Sequence, residues 1–396
     1  NLPKIFYIIF LFYFYSVIVS AVKAMLIGSA EGFFDYFSSF SIGFLFFSVL
    51  YYLLENGLPS VNRTHDLEAN IEIIAKVMIP VYSLAILFGA LEIGAIFSES
   101  LNRVTDKISY AISQLPRFGV QWFSREPAWG ALQILFFIPF FTFISKGRYM
   151  WVKFLLYIEL LFTLSATALV SLVAIEGMLL FINSWKKPKN LVIIAAIVLV
   201  PLLTISTLLK TDLVRFRQLK RFQTLFETAR FVDLLQFSSS ETVRIGFPIA
   251  GVMQLRQAPL LGVGGGNTRF FMKDYIYKLM PWAKQMPEVV QYVEEQSSAA
   301  TPRNLYARII GETGILGFFL FVYLVSEVAR AIRPVWKGEN TRVKCFFQRL
   351  TITILVINLQ FDSFALQQNW VFLAIVTAWL VRRNNETDFV RVWNAA

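Results

Sequence analysis

Six arginines and a run of glycines are the residues best suited to chemistry. Arg244, Arg256, Arg269 and Arg303 fall in a polar stretch from Ser238 to Gly317, and Arg117 and Arg125 in an earlier polar break. Arginine offers a permanent charge and a planar fork that fits phosphate bidentately. Each one taken singly suits anionic lipid headgroups or plain solvation equally well. Gly262, Gly264, Gly265 and Gly266, followed by Asn267, permit positive φ and let backbone N–H groups converge on an anion. The same run also suits a turn between two helices. It is not a dinucleotide fingerprint, because no strand precedes it and no βαβ unit surrounds it. As a set, these residues point to pyrophosphate binding.

Two acids could act beside them. Glu126 precedes Pro127 at the mouth of an apolar run, and Glu312 opens another. Ionisable groups at membrane depth are functional candidates by default, and a poorly hydrated carboxylate can serve as a general base. Glu126 is the first candidate base and Glu312 the second. A structural use is open to each: Glu126 as a charged helix N-terminus or arginine partner, Glu312 as an ion pair with Arg308 four residues back. Glu92, Glu159 and Glu176 stand isolated in other apolar runs, where they would mark an ion path in a transporter. His65, in a polar loop, is expected to be a surface residue. There is no paired-carboxylate metal motif, Gly-x-Ser-x-Gly elbow or Walker loop.

The elements that must position these residues are hydrophobic. The chain is 56% hydrophobic and 16% charged, with a mean hydropathy of +0.58; a soluble domain carries about 25% charged residues. Apolar runs of roughly 20 residues recur, each long enough to cross a bilayer. The expected class is all-α, a polytopic transmembrane helical bundle; no alternating strand pattern suggests a barrel. About ten spans can be drawn, at 5–27, 37–54, 71–97, 128–145, 150–166, 167–184, 191–209, 306–331, 346–361 and 368–382. The run 150–184 is divided at Thr163-Leu-Ser165. That division places the basic segments Lys146–Arg148, Lys186–Lys189, Arg333–Lys344 and Arg382-Arg383 on one side, the expected cytoplasmic side.

Segments 98–127 and 210–305 then lie on the other side. In the first, Leu101, Val104, Ile108, Ile112 and Leu115 recur at helical spacing, the pattern of a helix lying on the membrane surface. In the second, Ser238-x-x-Glu241 reads as a capping box opening a helix of about sixteen residues that carries Arg244 and Arg256. Pro259 and the glycines end it, and short helices are expected around 270–280 and 287–298. The domain scheme is an N-terminal bundle (1–209), a large helical periplasmic loop that binds substrate (210–305), and C-terminal helices with a cytoplasmic tail (306–396). The net charge of +11 exceeds what basic cytoplasmic loops explain, and in a membrane protein it points away from nucleic acid as a partner. One cysteine, Cys345, excludes an internal disulfide framework. One histidine excludes a multi-histidine metal site. The chain does not begin with Met, so further N-terminal residues are expected.

The order of these elements resembles the O-antigen ligase and polymerase superfamily of GT-C-like membrane glycosyltransferases. The resemblance rests on an arginine helix at Arg244, then Pro259-Leu-Leu-Gly262-Val-Gly264, Arg303-Asn304-Leu-Tyr306 and Glu312-Thr-Gly314-Ile-Leu-Gly317. Upstream, Arg117-Phe-Gly119 leads to Arg125-Glu126-Pro127. The resemblance covers about residues 98–330. It implies an inverting glycosyl transfer that needs neither metal nor cofactor. The implied donor is a polyprenyl-pyrophosphate-linked oligosaccharide and the acceptor a second such unit, with the bilayer holding both. A chain-length regulator is an implied protein partner, and the implied location is the bacterial inner membrane with the active site facing the periplasm. In that scheme Arg244, Glu126 and Glu312 are catalytic. Arg117, Arg125, Arg256, Gly262, Gly264, Gly265, Asn267, Arg269, Arg303, Asn304 and Tyr306 bind substrate or pyrophosphate. Two positions depart from the pattern: Arg303 stands where ligases carry a histidine, and Ala166 where an arginine often follows the Thr-Leu-Ser turn. The first favours a surface-polysaccharide polymerase. A ligase to lipid A-core is the alternative, and a lipid-linked glycan flippase the second.

Overall fold

A computed structural model describes residues 2–57, 67–113, 120–122, 124, 127–144, 150–163, 165–184, 239–298, 300–338 and 341–379. Among them every regular element is helical and none is a strand. The helices are α1 (Lys4–Ile27), α2 (Glu31–Tyr52, continued by a π-turn Leu53–Gly57), α3 (Leu67–Phe97), α4 (Glu99–Ser113), α5 (Pro127–Ile144), α6 (Met150–Phe162) and α7 (Ala166–Ser184). After the break come α8 (Ser239–Met253), α9 (Thr268–Leu279), α10 (Pro287–Glu294), α11 (Leu305–Lys337), α12 (Thr341–Ile357) and α13 (367–379).

By length and composition four of these can cross a membrane: α1, α2 with its extension to Asn56, α5 and α11. A fifth is α3 if its halves, bent by 52° around Pro80, form one span. The expectation of about ten spans is therefore met only in part. α6, α12 and α13 are apolar but shorter than the ~20 residues a straight crossing needs. The expected span 191–209 lies outside the described residues, as does the basic stretch after Lys210.

The division of 150–184 is visible. Helix α6 stops at Phe162, and Thr163 turns its hydroxyl back onto the Leu160 carbonyl (2.7 Å). Ser165 then accepts the Ala168 N–H at the start of α7 (3.4 Å). Short polar side chains that bond nearby backbone compete with helix continuation.

The chain forms two compact units. In one, which holds α3 to α7 and α12, α12 packs on α5 and α7, and α5 on α3 and α6. Here α4 shows the expected amphipathic pattern. Its Thr105 and Ser109 are buried, whereas Leu101, Val104 and Ile108 are exposed, the face a membrane-surface helix would lay on lipid.

The other unit holds α1, α2, α8 to α10, α11 up to Pro334, and the residues after Asn358. Aromatic rings tie α1 to α2, where Tyr13 stacks on Phe44 at 5.2 Å, and α2 to the turn before α13, where Phe40 stacks on Phe364 at 4.7 Å. The polar insert has its own small core, where Val243, Phe247 and Ala250 of α8 meet Met272 and Ile276 of α9 and Val289 and Val293 of α10. Ser239 opens α8 and donates to Glu288 of α10. The proposed cap, Ser238, lies outside the described residues. Helix α8 ends at Met253 and tightens into a 3₁₀ turn over Gln254–Arg256, so Arg256 lies beyond the α-helix expected to carry it.

Candidate functional site

The glycine run docks against a break in α11. Gly314 (φ 66°, ψ −168°) interrupts that helix, and the turn and loop backbone of 259–264 packs at the break. Ile315 N–H donates to Pro259 (2.9 Å) and Leu316 N–H to Leu260 (3.2 Å). In return Val263 N–H donates to Gly311 (3.0 Å) and Gly264 N–H to the main chain of Glu312 (2.9 Å). The mirror conformation at Gly314 is one that only glycine adopts readily.

At the other end of the run, Gly266 (φ 75°) lies against the backbone of Gly32 at the start of α2. A Cβ on Gly266 would overlap the Gly32 carbonyl oxygen. The glycines thus let three backbones approach one another.

The carboxylate of Glu312 sits at the centre and is 1% exposed. Its Oε2 accepts from Arg308 Nε (2.9 Å). Its Oε1 accepts from the Gly266 N–H (3.1 Å) and the Thr268 hydroxyl (3.1 Å). This is the ion pair that the four-residue spacing allowed. The other amides of the run are also committed: Gly262 to Ala258, Gly265 to the Ser20 hydroxyl (2.7 Å) and Asn267 to Gly264. The anion that the run holds is the protein's own Glu312 side chain. Buried carboxylates require such donors, because a desolvated charge without them is strongly unfavourable.

Arg308 extends the network. Its Nη1 donates to the Asp362 carbonyl (2.9 Å), and its guanidinium lies over Tyr36 and Phe364. The Asp362 carboxylate accepts the backbone N–H of Arg303 (2.8 Å). Arg303 is itself in the left-handed region (φ 55°), with its guanidinium 5.5 Å from the Tyr292 ring. Asn304 caps α11 through the Ala307 N–H (3.0 Å) and donates to Leu359 (3.0 Å). Tyr306, half-buried, packs its ring on Phe321. Arg269 is buried and faces two carboxylates at the start of α2, Glu31 (3.3 Å) and Asp35 (3.6 Å).

The sequence-selected residues therefore fall into three groups. Gly262, Gly264, Gly265, Asn267, Arg269, Arg303, Asn304, Tyr306 and Glu312 gather in one region, where Glu31 and Asp35 face the Arg269 guanidinium and Asp362 takes the Arg303 backbone N–H. Arg244 on α8 and Arg256 just after it are exposed. Arg117, Arg125 and Glu126 lie outside the described residues. Spare donors also exist: Arg269 Nε and Nη2, and Arg303 Nε, are buried without a protein acceptor among the described residues. Sequence reasoning missed Asp362, which stands 59 residues from Arg303. Its only local signal is an acidic residue between two apolar runs.

The other acids noted in the sequence are also engaged. Glu92 Oε2 accepts the backbone N–H groups of Gln121 and Trp122 (both 3.0 Å), and Glu159 accepts the Trp122 indole N–H (2.8 Å). Glu176 pairs with Arg349 and accepts from Tyr157 (2.7 Å).

The family described as O-antigen ligase matches residues 151–322. That range takes in α8, the glycine run, Arg303 and Glu312, and leaves out Arg117, Arg125, Glu126 and Asp362. No curated protein matches the chain. The match supports a likeness to the O-antigen ligase/polymerase superfamily over somewhat less than half of the chain.

Proposed function

We propose that the chain is a polymerase of that superfamily. It would join polyprenyl-pyrophosphate-linked oligosaccharide units into a bacterial surface polysaccharide, at the periplasmic face of the inner membrane. The family match over α8 to α11 supports the superfamily, and Arg303 in place of a histidine beside Asn304 is what favours a polymerase within it. The leaving group is a pyrophosphate, so fixed positive charge aimed at it stabilises the developing anion without a metal. Arg244 and Arg256, exposed on the polar insert, are suited to that contact, and Arg269 and Arg303 hold spare donors. The remaining need is a base for the acceptor hydroxyl, and Glu126 is the proposed one. Glu312, engaged on both oxygens, serves better as the anchor that holds the glycine run than as a base.

The family's description favours a second reading, transfer to lipid A-core; Arg303 in place of a histidine beside Asn304 argues for the polymerase. The test is to incubate purified protein and lipid-linked repeat units in detergent with EDTA, comparing wild type with Arg244→Ala and Glu126→Gln. Longer glycans from the wild type and none from either variant are expected. Transfer only to a lipid A-core acceptor would replace the polymerase with the ligase. No transfer to any acceptor would overturn both.

A further inference from the structure

The turn Pro259–Leu261 presents hydrophobic side chains where a polar insert should present polar ones. Leu260 and Leu261 are 61% and 41% exposed. On α8, Ile249 and Val252 are exposed on the helical face that continues into Arg256. Such a surface is unfavourable in water but natural against hydrocarbon, with the arginine stem lying along it and the charged head reaching outward.

The turn's depth follows from its bonds to α11. Pro259 and Leu260 accept from Ile315 and Leu316, which are themselves exposed and begin the lipid-facing stripe that continues through Phe319 and Val322. At the far end of that stripe, Lys4, Glu327 and Arg330 form a charged cluster. The helix from Leu316 to Arg330 is only about 22 Å long at 1.5 Å per residue. The hydrocarbon core is about 30 Å thick, so it must extend past Ile315 toward the insert.

Helix α1 gives an independent ruler. Lys4 marks one boundary, and Lys23, whose stem lies against Gly264, stands about 28 Å further along the helix. Tyr15 donates to the Thr313 carbonyl (2.9 Å) and lies against Gly317, so it brackets Ile315 and Leu316. Tyr15 is eight residues before Lys23, which places the turn about 12 Å inside the Lys23 level.

We propose that Pro259–Leu261 is a re-entrant wedge buried among acyl chains, in the leaflet on the side of the polar insert. Non-helical backbone is tolerated at that depth only when its polar groups are taken up by protein. Here the carbonyls of Ala258, Pro259 and Leu260 accept from Gly262, Ile315 and Leu316. The glycine run then lies at the membrane boundary, fixed to the wedge on one side and to Glu312 on the other. The proposal does not depend on which reaction the protein catalyses.

A nitroxide label at Leu261→Cys, in a Cys345→Ser background reconstituted in phospholipid vesicles, tests it. Collision with oxygen and with a polar nickel chelate would be compared with labels at Phe319→Cys and Lys284→Cys. The expected result matches Phe319: strong oxygen collision and loss of nickel collision. Nickel collision equal to that at Lys284 would overturn the wedge. Protection from both agents would also overturn it, by showing that protein covers the turn. Loss of oxygen collision on adding polyprenyl pyrophosphate would assign the surface to that lipid's tail instead of the bilayer.

Discussion

Two buried carboxylate sites, one in each unit, solve the same problem differently. In the unit with the glycine run, Glu312 is compensated by a guanidinium, Arg308, and adds one amide and one hydroxyl. In the other unit, Glu92 and Glu159 take N–H groups of the 121–122 turn: two backbone amides and an indole. Both arrangements use a helix-borne acid to fix a stretch of irregular backbone. The first fixes the glycine run, and the second fixes the turn that lies between Arg117 and Glu126 in sequence. The difference is that the first site uses charge pairing, whereas the donors described at the second are neutral N–H groups. Acids that could pass in the sequence for a base or an ion path are here clamps for loops.

That difference can be broken by mutation. Glu312→Ala strands the buried Arg308 charge and should cost about 3–5 kcal/mol, read as a loss of unfolding free energy in detergent. The double change Glu312→Leu with Arg308→Met should cost less than Glu312→Ala, because removing both charges leaves no unpaired one. If the double variant were the weaker, the pair would be stabilising in itself and not merely obligatory once formed. At the second site, Glu92→Gln keeps an acceptor oxygen for the same amides and should cost only about 1 kcal/mol. Equal losses for Glu312→Ala and Glu92→Gln would remove the distinction between the sites.

How much of this was legible in the sequence depends on how local the determining contacts are. The all-α class followed from apolar runs, and the α6–α7 break from Thr163 and Ser165, because bilayer crossing and helix competition are short-range effects. The Arg308–Glu312 pair was open to reading from its four-residue spacing. The commitment of the Gly264, Gly265 and Gly266 amides was not, since their acceptors come from α1 and α11, and Ser20 is 245 residues from Gly265. Asp362 was invisible for the same reason. Helix α8 also runs through Pro248 and stops before Arg256, an outcome decided by packing on α9 and α10 and not by propensity.

Asp362 sharpens the comparison within the first site, because it acts on a backbone. Asp362→Ala removes the acceptor of the Arg303 N–H, while Asp362→Asn retains an oxygen in its place. With lipid-linked repeats as substrate, the alanine variant should raise KM by about tenfold, the equivalent of one ~1.4 kcal/mol bond, and asparagine should restore most of it. Equal defects in both variants would mean that the charge, and not the positioning of Arg303, is what matters.

The smallest effect is expected at the surface of the insert, where a carboxylate is paired but not buried. Glu294 of α10 accepts from Lys273 and Tyr277 of α9. The hydrogen bond from Lys273 holds the Glu294 carboxyl below its ordinary range. A carboxylate depressed in the folded state adds stability above its unfolded value, near pH 4.3, and loses it as the pH falls through the folded value. Glu294→Gln should therefore be slightly less stable than wild type at neutral pH and equal to it in acid. Solvent screening keeps the difference small, as at other exposed pairs, and added salt should shrink it further. A neutral-pH loss for Glu294→Gln that matched the loss for Glu312→Ala would show that burial is not what separates the two acids. In that case the ranking from buried pair to exposed pair would have to be abandoned.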